Sequence, residues 1–177
     1  MKKILVILVA LSFYAYANQN FEYAVEKLIK FEGGDKIDKS IGNAYSKFGI
    51  TTATLKRYNS KLNLSNINKS QAKDIIYKLY WSEFELDRII DKRNALLILD
   101  FCYNSNSYNA IKQIQRAIGS KVTGELSTSD VSKINYLGYK DFYYVYKEYR
   151  SSYWKSLKVY NKFRKGWISR LKALGEL

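Results

Sequence analysis

Carboxylates are the chemistry left to this sequence once other options are removed. Its 177 residues contain no His and a single cysteine, Cys102. That rules out a zinc site built from His and Cys, and Ser-His or Cys-His nucleophilic pairs. An intrachain disulfide is ruled out too. S-x-x-K occurs at Ser70/Lys73, Ser152/Lys155 and Ser169/Lys172, as chance supplies in a chain rich in both residues. The K-[ST]-G element that accompanies that motif in penicillin-binding proteins is missing, and there is no Gly-rich phosphate loop. No metal or cofactor is implied. Among the 16 acids, Glu32 stands out. In "EKLIKFEGG" a helical run reaches Glu32 and is stopped by Gly33 and Gly34. Glu32 continues the stripe Phe21, Val25, Leu28 on the apolar face, at the negative end of the helix dipole. Desolvation and the dipole both disfavour its ionised form, which is how a general acid for glycoside cleavage is prepared. The competing reading is a partly exposed Glu that turns back toward Lys30 or Lys36.

The elements that would position this acid read as mostly helix. Residues 1–17, "MKKILVILVALSFYAYA", have the layout of a secretory signal cleaved after Ala17, with an apolar run too short to span a membrane. Export to the periplasm or the exterior is expected, with no stable membrane span. Phe21, Ala24, Val25, Leu28 and Ile29 mark an amphipathic first helix. Residues 35–51 are polar with a short Tyr45–Phe48–Ile50 alternation, which suggests a loop with a small hairpin. "NKSQ" imitates a capping box at Asn68, opening a helix with Ala72, Ile75, Ile76, Leu79 and Tyr80 on one face. "NALLILDFCY" is apolar all round except Asp100, so a core helix is expected there. A buried acid must be paired, and Arg170 or a Tyr hydroxyl is the expected partner. "SYNAIKQIQRAIG" is a further helix, "TGELSTSD" a turn into a short one, and "YKDFYYVYKEYRSSYWKSL" and "GWISRLKAL" two terminal helices. There is no Pro, no repeat and no linker; the one seam is the charged "DRIIDKRN" near residue 91.

Thirty Lys and Arg against 16 acids give a net charge of +14, or +12 without the leader's Lys2 and Lys3. Such a charge implies a polyanionic partner, and export argues against nucleic acid, leaving anionic cell-wall polymers.

The run from Glu32, "EGGDKIDKSIGNAYSKFGIT", resembles the start of glycoside hydrolase family 108, peptidoglycan-cleaving N-acetylmuramidases of the lysozyme superfamily. The matching positions are Glu32-Gly33-Gly34, Asp38 six residues later, and Gly49-Ile50-Thr51. "IYKLYW" resembles the family's Y-x-x-Y-W helix end. The second half is similar to the predicted peptidoglycan-binding domain that follows in relatives, through Asp100 and Asn104, Ala110 and Gln115, and Gly166, Trp167 and Arg170. "DKSIGNAYSK" departs from the D-P-x-D-P-G-G loop of relatives, having no Pro, so a different loop conformation is expected around Asp38.

The resemblance implies a mainly α, lysozyme-like α+β fold with a small β-hairpin element beside the active-site cleft. It divides the chain into a catalytic segment, 18–91, and a helical segment, 92–177, expected to pack together as one globule. It also implies a muramidase that hydrolyses the β-1,4 bond between N-acetylmuramic acid and N-acetylglucosamine in peptidoglycan glycan strands, acting as a monomer. Glu32 would be the general acid. Asp38 would be the second carboxylate, with Asp35 competing, and Thr51 could hold the water. Tyr45, Phe48, Tyr80 and Trp81 are candidates to line the sugar groove, with Gly49, Ile50 and Asn104 beside them. For each ring the core is the competing place. A lytic transglycosylase, a non-catalytic peptidoglycan-binding protein and a basic membrane-active toxin are the rival functions.

Overall fold

The stripe Phe21, Ala24, Val25, Leu28 and Ile29 winds into helix α1, residues 19–31, and all five side chains are buried. The structure, a computed structural model, describes residues 19–177 except 37, 42 and 43, and side chains outside 37–44. The expected leader therefore lies outside the described residues. At the far end of α1, Gly33 N donates to Lys30 O at 3.3 Å and Gly34 N to Ile29 O at 3.1 Å. This is the glycine-closed helix end in which left-handed residues satisfy the last carbonyls, and it makes Glu32 the C-cap.

Three short strands follow, β1 (Asp38–Ile41), β2 (Ala44–Lys47) and β3 (Ile50–Thr51). They form an antiparallel sheet in the order β1-β2-β3, with Ser46 opposite Thr51 and Lys47 opposite Ile50. The β2–β3 turn is Phe48-Gly49, at φ 55° and 76°. Two positive φ angles in succession are what a two-residue hairpin needs to match strand twist. Helix α2 (Thr52–Tyr58) comes directly after. It was not legible in the sequence because Leu55 is its one buried side chain, so there is no stripe to read.

Helix α3 (Lys69–Ile76) opens with the capping box, Asn68 and Gln71 each bonding the other's backbone, and runs into a wider π turn, Tyr77–Trp81. Helix α4 (Lys92–Asn104) is the central element: Asn94 through Cys102 are all buried. It packs against the π turn, α5 (Ser107–Ala117) and α6 (Thr128–Lys155). A kink at Gly138, φ 66° and ψ 174°, divides α6 into the expected short helix and a long one. Helix α7 (Tyr160–Gly175) starts six residues before Gly166, because Asn161, Lys162, Arg164 and Lys165 leave no apolar stripe to read in its first turns. One apolar cluster reaches from Phe21 of α1 to Leu174 of α7. The result is the mainly α, lysozyme-like architecture, with its small sheet beside the end of α1. No helix among the described residues is long and apolar enough to cross a membrane.

Candidate active site

Glu32 is held where three elements meet: the closed end of α1, the β2–β3 turn and α7. Its side chain is 17% exposed, and Arg170 Nη2 donates to its Oε1 at 2.6 Å. Asn104 Nδ2, at the end of α4, donates to the same oxygen at 3.3 Å and to Asp100 O at 3.1 Å. Both bonds fall on Oε1, and neither donor reaches Oε2. The sequence placed Glu32 on an apolar face, with Lys30 or Lys36 as its partner in the competing reading. The helix face is as expected, and the fold adds a cation.

That cation is fixed from behind. Arg170 Nε and Nη2 donate to Asp100 Oδ1 at 2.8 and 2.6 Å, and Arg150 Nη1 donates to Asp100 Oδ2 at 2.6 Å. Arg150 Nη1 also bonds the Tyr146 hydroxyl. Asp100 and Arg150 are fully buried. Burial alone would raise the Asp100 carboxyl, but Arg150 and then Arg170 outweigh it and hold it below its ordinary value. Burial works against the charge on Arg170, yet Asp100 and then Glu32 more than offset it and push its pKa up. The expected Arg170–Asp100 pair is present, and Arg150 is its unforeseen third member. In "YKEYRSSYW" Arg150 looks like one more solvated cation, and nothing local marks it as buried.

The turn side of the site is built as tightly. A Cβ on Gly49 would lie 2.6 Å from Glu32 Cγ and 3.0 Å from its Oε2, so only glycine lets the turn lie against the acid. Phe48 N donates to Gly34 O at 3.0 Å, and the Tyr103 hydroxyl donates to Phe48 O at 3.3 Å. Burial, and then the charge of Glu32, push the Tyr103 hydroxyl well above its ordinary value, so it stays protonated and donating. Thr51 Oγ1 caps α2, accepting from Thr54 N at 3.1 Å. It lies 3.0 Å from Thr54 Oγ1 as well, so the hydroxyl expected to hold water also serves the helix start.

The structure thus gathers Glu32, Gly49 and Asn104, and adds Arg170, Asp100, Arg150 and Tyr103. Asp38 opens β1, but its side chain lies outside the described residues. Asp35 is exposed. Most of the apolar residues expected to line a sugar groove are core residues instead. Trp81 is fully buried with its indole N–H donating to Asp87 Oδ1 at 2.6 Å, so it cannot reach a ligand. Ile50 is fully buried, and Phe48 and Tyr80 are 5% and 8% exposed. Tyr80 sits in the core cluster, edge-on to Tyr103 with ring centroids 5.0 Å apart. Tyr45, 49% exposed, is the exception, and with Leu55, Lys56, Leu62 and Asn63 it lines a groove of about 690 Å³. Cys102 is buried, and burial pushes its thiol up, away from reactivity.

Residues 25–105 match the sequence profile of the family described as glycosyl hydrolase 108. That span holds Glu32, the hairpin, Asp100 and Asn104, and ends before Arg150 and Arg170. Among solved structures the chain is similar to SagA of Brucella abortus, with 23% sequence identity and a TM-score of 0.78. The likeness covers 90% of this chain and 93% of that one. No curated protein matches the sequence.

Proposed function

We propose that this protein is an exported peptidoglycan hydrolase that cleaves the β-1,4 bond between N-acetylmuramic acid and N-acetylglucosamine, with Glu32 as general acid. One observation carries the proposal: a partly exposed Glu at the closed end of α1, pressed against Gly49 and gripped on one oxygen by Arg170 and Asn104. The match to glycosyl hydrolase 108 over residues 25–105 supports the reaction class.

In this reading the Oε2 proton passes to the glycosidic oxygen as the bond to the muramic acid anomeric carbon breaks. Water attacks that carbon, its hydroxyl joins it, and its remaining proton goes to a base. The charge that appears on Glu32 meets two donors already aimed at Oε1, so no reorganisation is needed to stabilise it. Asp38 is the proposed second carboxylate. Asp100 is not available for that role, since it is fully buried and both its oxygens are occupied by arginines. Thr51 is assigned to positioning α2 and the turn rather than to the water. The substrate is peptidoglycan glycan, and the +12 charge that remains without the leader's Lys2 and Lys3 favours retention on anionic wall polymers.

A zymogram on purified peptidoglycan with wild type and Glu32→Gln tests the assignment. Gln keeps shape and hydrogen bonding but has no proton to donate, so clearing should be lost. A variant that still clears the gel would overturn it. Mass spectrometry of the released fragments should show reducing muramic acid ends; a 1,6-anhydro product would make the enzyme a lytic transglycosylase.

A further inference from the structure

We propose that Arg170 is the receptor for a substrate carboxylate, and that binding this carboxylate releases Glu32 from its ion pair so that it can act as an acid. The proposal rests on the muramidase reading above, and it deepens that reading by naming what the site recognises.

The guanidinium is fully held along its Nε/Nη2 edge and only half held along its Nη1/Nη2 edge. Its Nε and Nη2 are used by Asp100, and Nη2 also by Glu32, while Nη1 makes no hydrogen bond among the described residues. The side chain keeps 14% exposure, and Nη1 is not among the buried unpartnered atoms, in contrast to Nε and Nη2 of Arg150. An arginine fixed on one edge, whose second edge is shared by a free Nη1 and a single bond to the reacting group, becomes a fork for a carboxylate once that bond is given up.

The grip is also unequal in the right direction. Asp100 holds Arg170 by two bonds and is itself locked by fully buried Arg150, whereas Glu32 holds it by one. An anion arriving at the Nη1/Nη2 edge competes with Glu32 and leaves the Asp100 contacts in place.

Charge balance points the same way. Glu32, Arg170, Asp100 and Arg150 sum to zero when both acids are ionised. A Glu32 ready to donate is neutral, which leaves one excess positive charge in a largely buried cluster. A bound carboxylate cancels it. Binding of the anion and protonation of Glu32 therefore assist each other, as linkage requires. In peptidoglycan the carboxylate nearest a scissile bond belongs to the muramic acid lactyl group when free, or to its stem peptide.

Three disaccharides that lack the cleavable bond separate these sources in calorimetric titrations of the full chain. N-acetylglucosaminyl-N-acetylmuramic acid carries a free lactyl carboxylate, its stem-peptide form carries peptide carboxylates, and chitobiose carries none. Glu32→Gln removes the internal competitor, so it should bind at least one of the two anionic sugars about tenfold more tightly than wild type. Chitobiose should bind equally to both. The anionic sugar that gains more identifies the source of the carboxylate. Arg170→Lys in the Glu32→Gln background keeps the charge but loses the fork, and should cancel the gain. A gain that survives Arg170→Lys arises from lost repulsion alone and overturns the proposal, as does an equal gain for chitobiose or no gain at all. Should the double variant not fold, the Arg170 Nε–H resonance of Glu32→Gln decides. It should shift on adding an anionic disaccharide and not on adding chitobiose, and no shift with either anionic sugar overturns the proposal.

Discussion

Two acid–arginine pairs lie side by side in this molecule, and they differ chiefly in burial. Asp100 and Arg150 are 0% exposed; Glu32 and Arg170 are 17% and 14% exposed. The chemistry of the contacts is the same, and each pair closes at 2.6 Å. The difference in solvent assigns them different work. A fully buried pair cannot exchange partners without leaving a charge uncompensated, so it acts as a fixed joint. A pair at the edge of solvent can open at modest cost, and it belongs to the residue proposed to move a proton. Arg170 bridges the two and passes the rigidity of the joint to the acid.

The sharpest way to test this contrast is to break each pair in turn. Glu32→Gln should lower turnover of peptidoglycan by about 10²- to 10⁴-fold, the span of a lost general acid. Its melting temperature should stay within a few degrees of wild type. The lost ion pair and the relieved opposition to the helix dipole act in opposite directions, each on the order of 1 kcal/mol. Arg150→Met should do the reverse. It leaves Asp100 buried with less compensation and should cost about 3–5 kcal/mol, a melting temperature lower by roughly 6–20 °C. Denaturant melts of the two variants measure the difference directly.

Acid should distinguish the joint as well. Asp100 is held below its ordinary carboxyl value, so its folded form refuses a proton that the unfolded chain accepts. The stability it contributes is present above about pH 4 and is lost as the pH falls below that. The wild-type melting temperature should drop there more steeply than that of Asp100→Asn.

Smaller effects sharpen the geometry on the acid's side. Gly49→Ala places a methyl 2.6 Å from Glu32 Cγ at φ 76°, and should cost about 1–3 kcal/mol of stability together with activity. Asn104→Ala removes a 3.3 Å bond to Glu32 and a 3.1 Å bond to Asp100 O. About 0.5–1.5 kcal/mol is expected, a several-fold fall in kcat with little change in the melt. Equal effects of Asn104→Ala on folding and on turnover would erase the distinction between joint and site.

Local pattern was enough for much of this protein. The five-residue stripe of α1, the Gly pair that closes it, the capping box at Asn68 and the apolar run of α4 each carry their own structural instruction within a few turns of chain. They placed Glu32 at a helix end and Asp100 in the core, and the need to pair a buried acid pointed to Arg170. Gly49 was legible as part of a motif, though its reason, close approach to Glu32 across the turn, exists only in the folded chain. Tertiary packing alone decided the rest. Whether Trp81 faces a sugar or the core depends on what packs over it, and an aromatic at a helix end reads the same either way. Arg150 lies 50 residues from Asp100 and Arg170 lies 138 from Glu32, separations at which no periodicity survives. Charge partners meet by the folding of distant helices onto one another, so the sequence determined which groups must be satisfied, and the fold determined by whom.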